Sequence, residues 1–320
     1  MKRSLLGLLA FSFTVWAQMP VLSQVSFPPK PPATKPGFHI VAYLPDYRAA
    51  VDPVLTAYVT DLIFFSVGPT RDGGIDAAHL TPAMKAKLWD IKRRYHLRLR
   101  VALGGADRSG GFGPMALDPI KRARFVRALT QFCLRNKFDG ADYDWEFPAN
   151  KGEDDAFMAL LVETKHAFVP HKLLLSMAMA PWQDITPAAS AAVDQFNLMT
   201  YFDDAHRAGL AHAQADTQGL LQKGVPPQKV CMGIPFYAEG IADASVTPAY
   251  ADVVRQYHPT PDEDEVSGLA FNGRKTVQAK TRYALSQHLG GVMVWEIGQD
   301  TTDETSLMRA IRHVAAEQTH

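Results

Sequence analysis

The chain has 320 residues, with 33 Lys and Arg against 33 Asp and Glu, and so a formal charge of +0 at pH 7. A balanced total gives no reason to expect nucleic acid or an anionic membrane as partner. The hydrophobic content of 47% is that of an ordinary globular protein, and the length beyond the N-terminal region is enough for one large α/β barrel.

Met1-Lys2-Arg3 followed by the apolar run Ser4–Ala17 reads as a secretory signal peptide over residues 1–17. The run is too short to span a bilayer comfortably. Cleavage after Ala17 fits, and so does a site as late as Ser23. An uncleaved anchor is the competing reading. No Cys lies nearby, which argues against a lipoprotein anchor. Residues 18–36 form a proline-rich spacer, expected to be extended and outside the core. Residues 37–320 would then be a single catalytic domain in a secreted or periplasmic protein, with no membrane contact after signal removal, and a monomer.

From there, apolar runs of strand length alternate with amphipathic stretches. The spacing predicts strands at 38–44, 61–67, 97–104, 138–146, 172–180, 194–201, 229–236 and 291–296. Continuous apolar runs suit parallel strands covered on both faces. Helical patterns fall at 81–95, 119–136, 152–167, 214–223, 276–288 and 304–316. Thr81-Pro82 and Asp118-Pro119 read as helix starts, a capping side chain followed by proline. The helices after the first and fifth strands are weakly marked. Repeated strand–helix alternation predicts a (β/α)8 TIM barrel, with a doubly wound open sheet as runner-up; no Gly-x-Gly-x-x-Gly follows the first strand. The longest loop, about residues 237–275, follows the seventh strand, and Asn272-Gly273 predicts a hairpin turn in it.

Residues 139–146 read Asp-Gly-Ala-Asp-Tyr-Asp-Trp-Glu. In a strand, side chains two apart share a face. Asp142, Asp144 and Glu146 therefore line one side, and Tyr143 and Trp145 the other. Carboxyls this close cannot all ionise, so at least one proton is retained near neutrality. Such a row suits acid–base chemistry. A solvated acidic face fits poorly, because Phe138, Tyr143, Trp145 and Phe147 point to a buried opposite face. A divalent-cation site is the other reading.

The stretch resembles the motif of family 18 glycoside hydrolases, the chitinase family, D-G-x-D-x-D-W-E. Asp139, Gly140, Asp142, Asp144, Trp145 and Glu146 occupy its fixed positions. The resemblance extends over roughly residues 38–300. It implies the (β/α)8 fold and a substrate-assisted retaining mechanism, one of the exceptions to the usual two-carboxylate scheme. In it Glu146 is the general acid, Asp144 holds the substrate's N-acetyl group, and Asp142 shares a proton with Asp144.

Other segments fall in the family's order. Met199-Thr-Tyr201-Phe202-Asp203 resembles M-x-Y-D, which implies that Tyr201 bonds the N-acetyl carbonyl and Met199 lines its pocket. Phe202 stands where the Asp is expected, so that contact is missing or falls to Asp203. Trp295 matches the tryptophan under the sugar at the cleavage site; flat aromatic surfaces bury the apolar faces of sugar rings. Tyr43 matches another substrate-side aromatic. Ala102-Leu103-Gly104-Gly105 resembles S-x-G-G with Ala for Ser, which implies one hydrogen bond fewer near the carboxyls, and glycines that let the backbone come close. Gly233, Pro235 and Tyr237 resemble an architectural G-x-P-x-Y. The seventh-strand loop is too short for a full-size chitinase insertion domain, so the groove should be shallow.

The expected partner is an N-acetylglucosamine-containing glycan, chitin or its oligomers, with no nucleic acid, cofactor or metal. Endo-β-N-acetylglucosaminidase or cell-wall glycan hydrolase activity would use the same residues, and a non-catalytic chitinase-like sugar-binding protein is a further alternative. Cys133 and Cys231, the only cysteines, read as two buried thiols or as a disulfide.

Overall fold

A computed structural model describes residues 33–48, 53–201 and 209–317. The signal segment and most of the spacer lie outside these, as do Phe202 and Asp203. The end of the spacer is exposed, and the Lys35 N–H donates to Ala315 O at 3.0 Å.

The eight predicted strands are all present: β1 (His39–Pro45), β2 (Asp61–Pro69), β3 (Arg98–Gly104), β4 (Gly140–Asp144), β5 (Leu174–Met179), β6 (Gln195–Leu198), β7 (Val230–Pro235) and β8 (Gly291–Trp295). Each pairs in parallel with its neighbour, and β8 returns to β1 with His39 opposite Gly291. The sheet is therefore a closed barrel, and the open-sheet alternative fails.

The helices follow the amphipathic stretches: α1 (Pro53–Thr56), α2 (Pro82–Tyr95), α3 (Phe112–Ala116), α4 (Pro119–Arg135), α5 (Lys151–Phe168), α6 (Pro187–Ala192), α7 (Leu210–Gln222), α8 (Tyr250–Tyr257), α9 (Arg274–Ser286) and α10 (Leu307–Ala316). The weakly marked helices after β1 and β5 are one or two turns long, too short for an amphipathic repeat to show. Both predicted caps form: Thr81 accepts from the Met84 N–H, and Asp118 from those of Ile120 and Lys121. α10 starts at residue 307 rather than 304, because Asp303 bonds back to Thr305 in a local turn and Ser306 takes the cap.

The loop after β7 folds into α8 and three two-residue strands, Glu239–Gly240, Glu265–Val266 and Leu269–Ala270, with no full-size insertion domain. Its hairpin turns at Ser267-Gly268, both at positive φ (49° and 76°), and not at Asn272-Gly273. Gly273 has φ −73° and caps α9 instead. A dipeptide able to turn a hairpin also suits a helix entry, and the strand pairing decided between them.

Strand alternation divides the core. Ile40, Ala42 and Leu44 face the helices, while Val41 and Tyr43 face the barrel interior. On β4, Ala141 and Tyr143 pack outward, and Trp145 just beyond the strand stacks on Phe112 of α3 at 4.9 Å. That burial fixes the strand's rotation and turns the intervening acids inward. Gly140 lies against β5: a Cβ there would sit 1.9 Å from Leu174 O. We expect Gly140→Ala to cost about 1–3 kcal/mol or more, because backbone on both sides must move. Urea denaturation measures the loss.

Candidate active site

The barrel interior is built in layers. At the bottom, buried Asp61 takes Arg98 Nε at 2.7 Å and Arg100 at 3.2 Å. These guanidiniums and His39 hold its carboxyl far below the usual range, against the opposing pull of burial.

One layer up sits Asp142, fully buried. Its Oδ2 accepts from Tyr43 OH at 2.7 Å, and its Oδ1 from Ser176 Oγ at 2.5 Å and Asn197 Nδ2 at 2.9 Å. Burial raises its pKa, opposed by the Arg100 charge and by these three donors. Barrel register explains the trio: Asp142 lies opposite Ala102 of β3 on one side and Ser176 of β5 on the other. Ala102 offers no hydroxyl from the β3 side, and the hydroxyl that Asp142 receives comes from Ser176 of β5. Ser176→Ala should lower stability by about 1–3 kcal/mol, the cost of removing a donor from a buried carboxyl. Thermal unfolding would show it.

Tyr43 is 1% exposed and lines the cleft, and its hydroxyl donates to Asp142 while accepting from Asn197 at 3.1 Å, so it also holds the deep carboxyl in place.

The third layer opens to solvent. Asp144 ends β4 at 3% exposure, and Glu146 follows, partly buried. Both carboxyls line the same cleft, and like charges at such neighbouring positions favour the neutral form of one of them. Burial and the charges of Glu146 and Asp142 push Asp144 well above the usual range; Glu146 is raised by burial. Three donors already occupy Asp142, so the acid next to Asp144 that opens to the cleft is Glu146. Asp144 Oδ1 is buried and has no hydrogen-bond partner. A buried acceptor left open inside a cleft is suited to receiving a ligand N–H.

The cleft over this pair has a volume of about 570 Å³ and includes Tyr43, Gly105, Asp144, Glu146, Met199, Tyr201 and Trp295. Trp295 forms one wall, propped by Phe65 at 4.7 Å and Tyr43 at 5.5 Å between ring centroids. Tyr201 is 8% exposed, with its hydroxyl 3.8 Å from Met293 Sδ. Gly105, at φ 94°, donates its N–H to Asp144 O at 2.7 Å, and a Cβ there would strike the Phe65 ring at 2.2 Å. The β7 loop closes one side with Tyr237, Glu239 and Thr247. Asp203 lies outside the described residues.

Sequence reasoning missed several parts. Ser109 accepts from the Glu146 N–H at 3.0 Å and donates to Gly105 O at 2.8 Å, tying the end of β4 to the β3 loop. Ser176 lies one strand on from Asp142 and Asn197 two strands on, and neither carries a local motif. Trp182, half exposed, packs edge-on against Phe147 at 5.4 Å, just past Glu146. No group of His, Cys, Asp or Glu among the described residues is arranged to hold a metal ion.

The profile of glycosyl hydrolases family 18 matches residues 39–300, nearly the whole barrel. The chain belongs to glycosyl hydrolase family 18. Among curated relatives, "Probable chitinase 2" of Drosophila melanogaster is 24% identical over 285 residues, covering 67% of this chain and 58% of that protein's length. Solved family 18 structures share the fold. A chitinase from the chitin utilization locus of Flavobacterium johnsoniae superposes with a TM-score of 0.77 at 21% identity, covering 88% of this chain and 94% of its own. A plant class V chitinase mutant from Cycas revoluta, in complex with (GlcNAc)3, gives 0.73 at 19% identity, covering 86% and 99%. Within the family motif, the outward Tyr143 and Trp145 are the residues that aim its acids into the barrel.

Proposed function

We propose that this family 18 protein hydrolyses β-1,4 bonds beside N-acetylglucosamine in chitin or its oligomers, with retention at the anomeric carbon. The observation that carries this reading is Asp144 and Glu146 together in an open cleft, with Asp144 Oδ1 buried and without a hydrogen-bond partner. Glu146 gives its proton to the glycosidic oxygen as the C1–O bond breaks. The substrate's acetamido carbonyl oxygen bonds to C1, forming an oxazolinium ion. Asp144 accepts the acetamido N–H at its open Oδ1 and offsets the developing positive charge. Tyr201 donates to the same acetamido group, Met199 packs beside it, and the sugar rests on Trp295. Water then attacks C1 as the C1–O bond of the oxazolinium breaks and the acetamide re-forms, and Glu146, now a carboxylate, takes the water's proton. The relatives named as chitinases, and the family 18 structure with a bound N-acetylglucosamine oligomer, support this substrate class. Export to the periplasm or medium and a monomeric state belong to the same proposal.

Release of a fluorophore from a chitobioside tests turnover. Mass spectrometry of products from chitooligosaccharides, high-mannose glycopeptide and peptidoglycan tests the substrate. Cleavage of chitooligosaccharides is expected. Cleavage confined to glycopeptide or peptidoglycan would transfer the same chemistry to that glycan, and binding without any cleavage would make the protein a lectin.

A further inference from the structure

The neutral total charge conceals a strong segregation. Residues 85–137 hold 14 of the 33 Lys and Arg but only 3 of the 33 Asp and Glu. They form α2, β3, α3 and α4. α2 and α4 are joined where they end: Trp89 Nε1 donates to Asn136 O at 2.8 Å, and Lys92 Nζ to Lys137 O at 2.9 Å. Arg98 and Arg100 hold Asp61 inside the barrel and Arg108 bonds Asp46; the remaining 11 lie on α2, on α4 or at Lys137, and make this side of the barrel basic.

Some of its cations have partners. Arg122 bonds Glu163, Lys92 bonds Asp139, and Arg93 and Arg94 share Asp90. Arg124, Arg127, Arg135 and Lys137 are exposed, and among the described residues no carboxylate pairs with them. On α4, residues 120, 124, 127, 131 and 134 recur every three or four positions and so share the outward side. Their order is Ile120, Arg124, Arg127, Gln131, Leu134, with Arg135 next to the last. Ile120 is 81% exposed, and Leu117 just before the helix is 52% exposed.

We propose that this face docks on an anionic lipid surface. Unpaired arginines meet the lipid phosphates, and the exposed aliphatics enter the boundary between headgroups and acyl chains. The aliphatics decide between occupants. A nucleic acid or a soluble acidic polymer would use the arginines alone and leave Ile120 and Leu117 in water. Because α4 follows the C-terminal end of β3, these two residues lie toward the rim that carries the cleft. Docking would therefore hold the cleft beside the lipid surface without covering it. The proposal is independent of the catalytic reading.

The test is co-sedimentation of the full chain with phosphatidylglycerol-containing vesicles and with phosphatidylcholine vesicles, alongside heparin and duplex DNA retention. The N-terminal apolar run is common to every variant, and the neutral vesicles report its contribution. We expect binding to the anionic vesicles only, weakening as salt rises. The triple variant Arg124→Glu/Arg127→Glu/Arg135→Glu should bind about tenfold less or weaker still. Ile120→Ser should weaken vesicle binding several-fold and leave heparin retention unchanged. If the triple variant fails to fold, Arg124→Ala/Arg127→Ala takes its place. Indifference of the wild type to anionic vesicles, or unchanged binding by the charge variants, overturns the proposal. So does equal retention on heparin or DNA combined with no effect of Ile120→Ser, which would assign the face to a soluble polyanion.

Discussion

Glu146→Gln should reduce kcat by about 10²–10⁴-fold, the contribution of a positioned general acid, while leaving oligosaccharide affinity within a few-fold of wild type. The amide matches the carboxyl in shape, so the cleft should keep its form. What it lacks is a transferable proton. The backbone at this position is held independently of the side chain, by the Ser109 hydroxyl on the Glu146 N–H at 3.0 Å. Stability should therefore be nearly unchanged. Stopped-assay kinetics with a chitobioside and calorimetric titration with an uncleaved oligomer separate the two effects. Retained turnover would remove Glu146 from the acid role. Loss of binding together with turnover would mean that it anchors substrate instead of protonating it.

Much of the barrel was legible because its strands are bounded by caps and its motif alternates. Tyr143 and Trp145 outward, Asp142 and Asp144 inward, is a statement about period two, and it needs only local sequence. The parts that stayed hidden depend on closure. Ser176 faces Asp142 because β5 registers beside β4, and Tyr43 reaches the same carboxyl from the other side of the barrel. Nothing near Ser176 or Asn197 in the chain marks them, since a barrel converges residues that are 34 or 55 positions apart. From spacing alone, Asp142–Asp144 and Asp144–Glu146 are equivalent pairs. The three donors on Asp142, which come from three different strands, break the equivalence. Phe65, the prop beneath Trp295 and the neighbour that forbids a side chain at Gly105, sits in an unremarked apolar run. The charge segregation was legible in principle, but a whole-chain total averages it away.

Asp144→Asn separates charge from shape. The Asn side chain oxygen can still accept the acetamido N–H, so the substrate should bind with KM changed by only a few-fold. It cannot become an anion, and the positive charge that develops as the oxazolinium forms is then uncompensated in a buried site. We expect kcat to fall by about 10²–10³-fold, the scale of losing one aligned electrostatic contact in the transition state. The pH profile gives a second readout with a definite sign. On the proposed mechanism the working form of the pair carries one proton, and removing it leaves Glu146 ionised beside Asp144, itself raised by burial and by the Glu146 and Asp142 charges. That repulsion holds the last proton on, so activity persists to a higher pH than a lone carboxyl would allow. With Asn at 144 the repulsion is gone, and Glu146 loses its proton at lower pH. The alkaline limb of kcat/KM should move toward acid while thermal stability holds. A merely structural Asp144 would lower stability and leave that limb where it was.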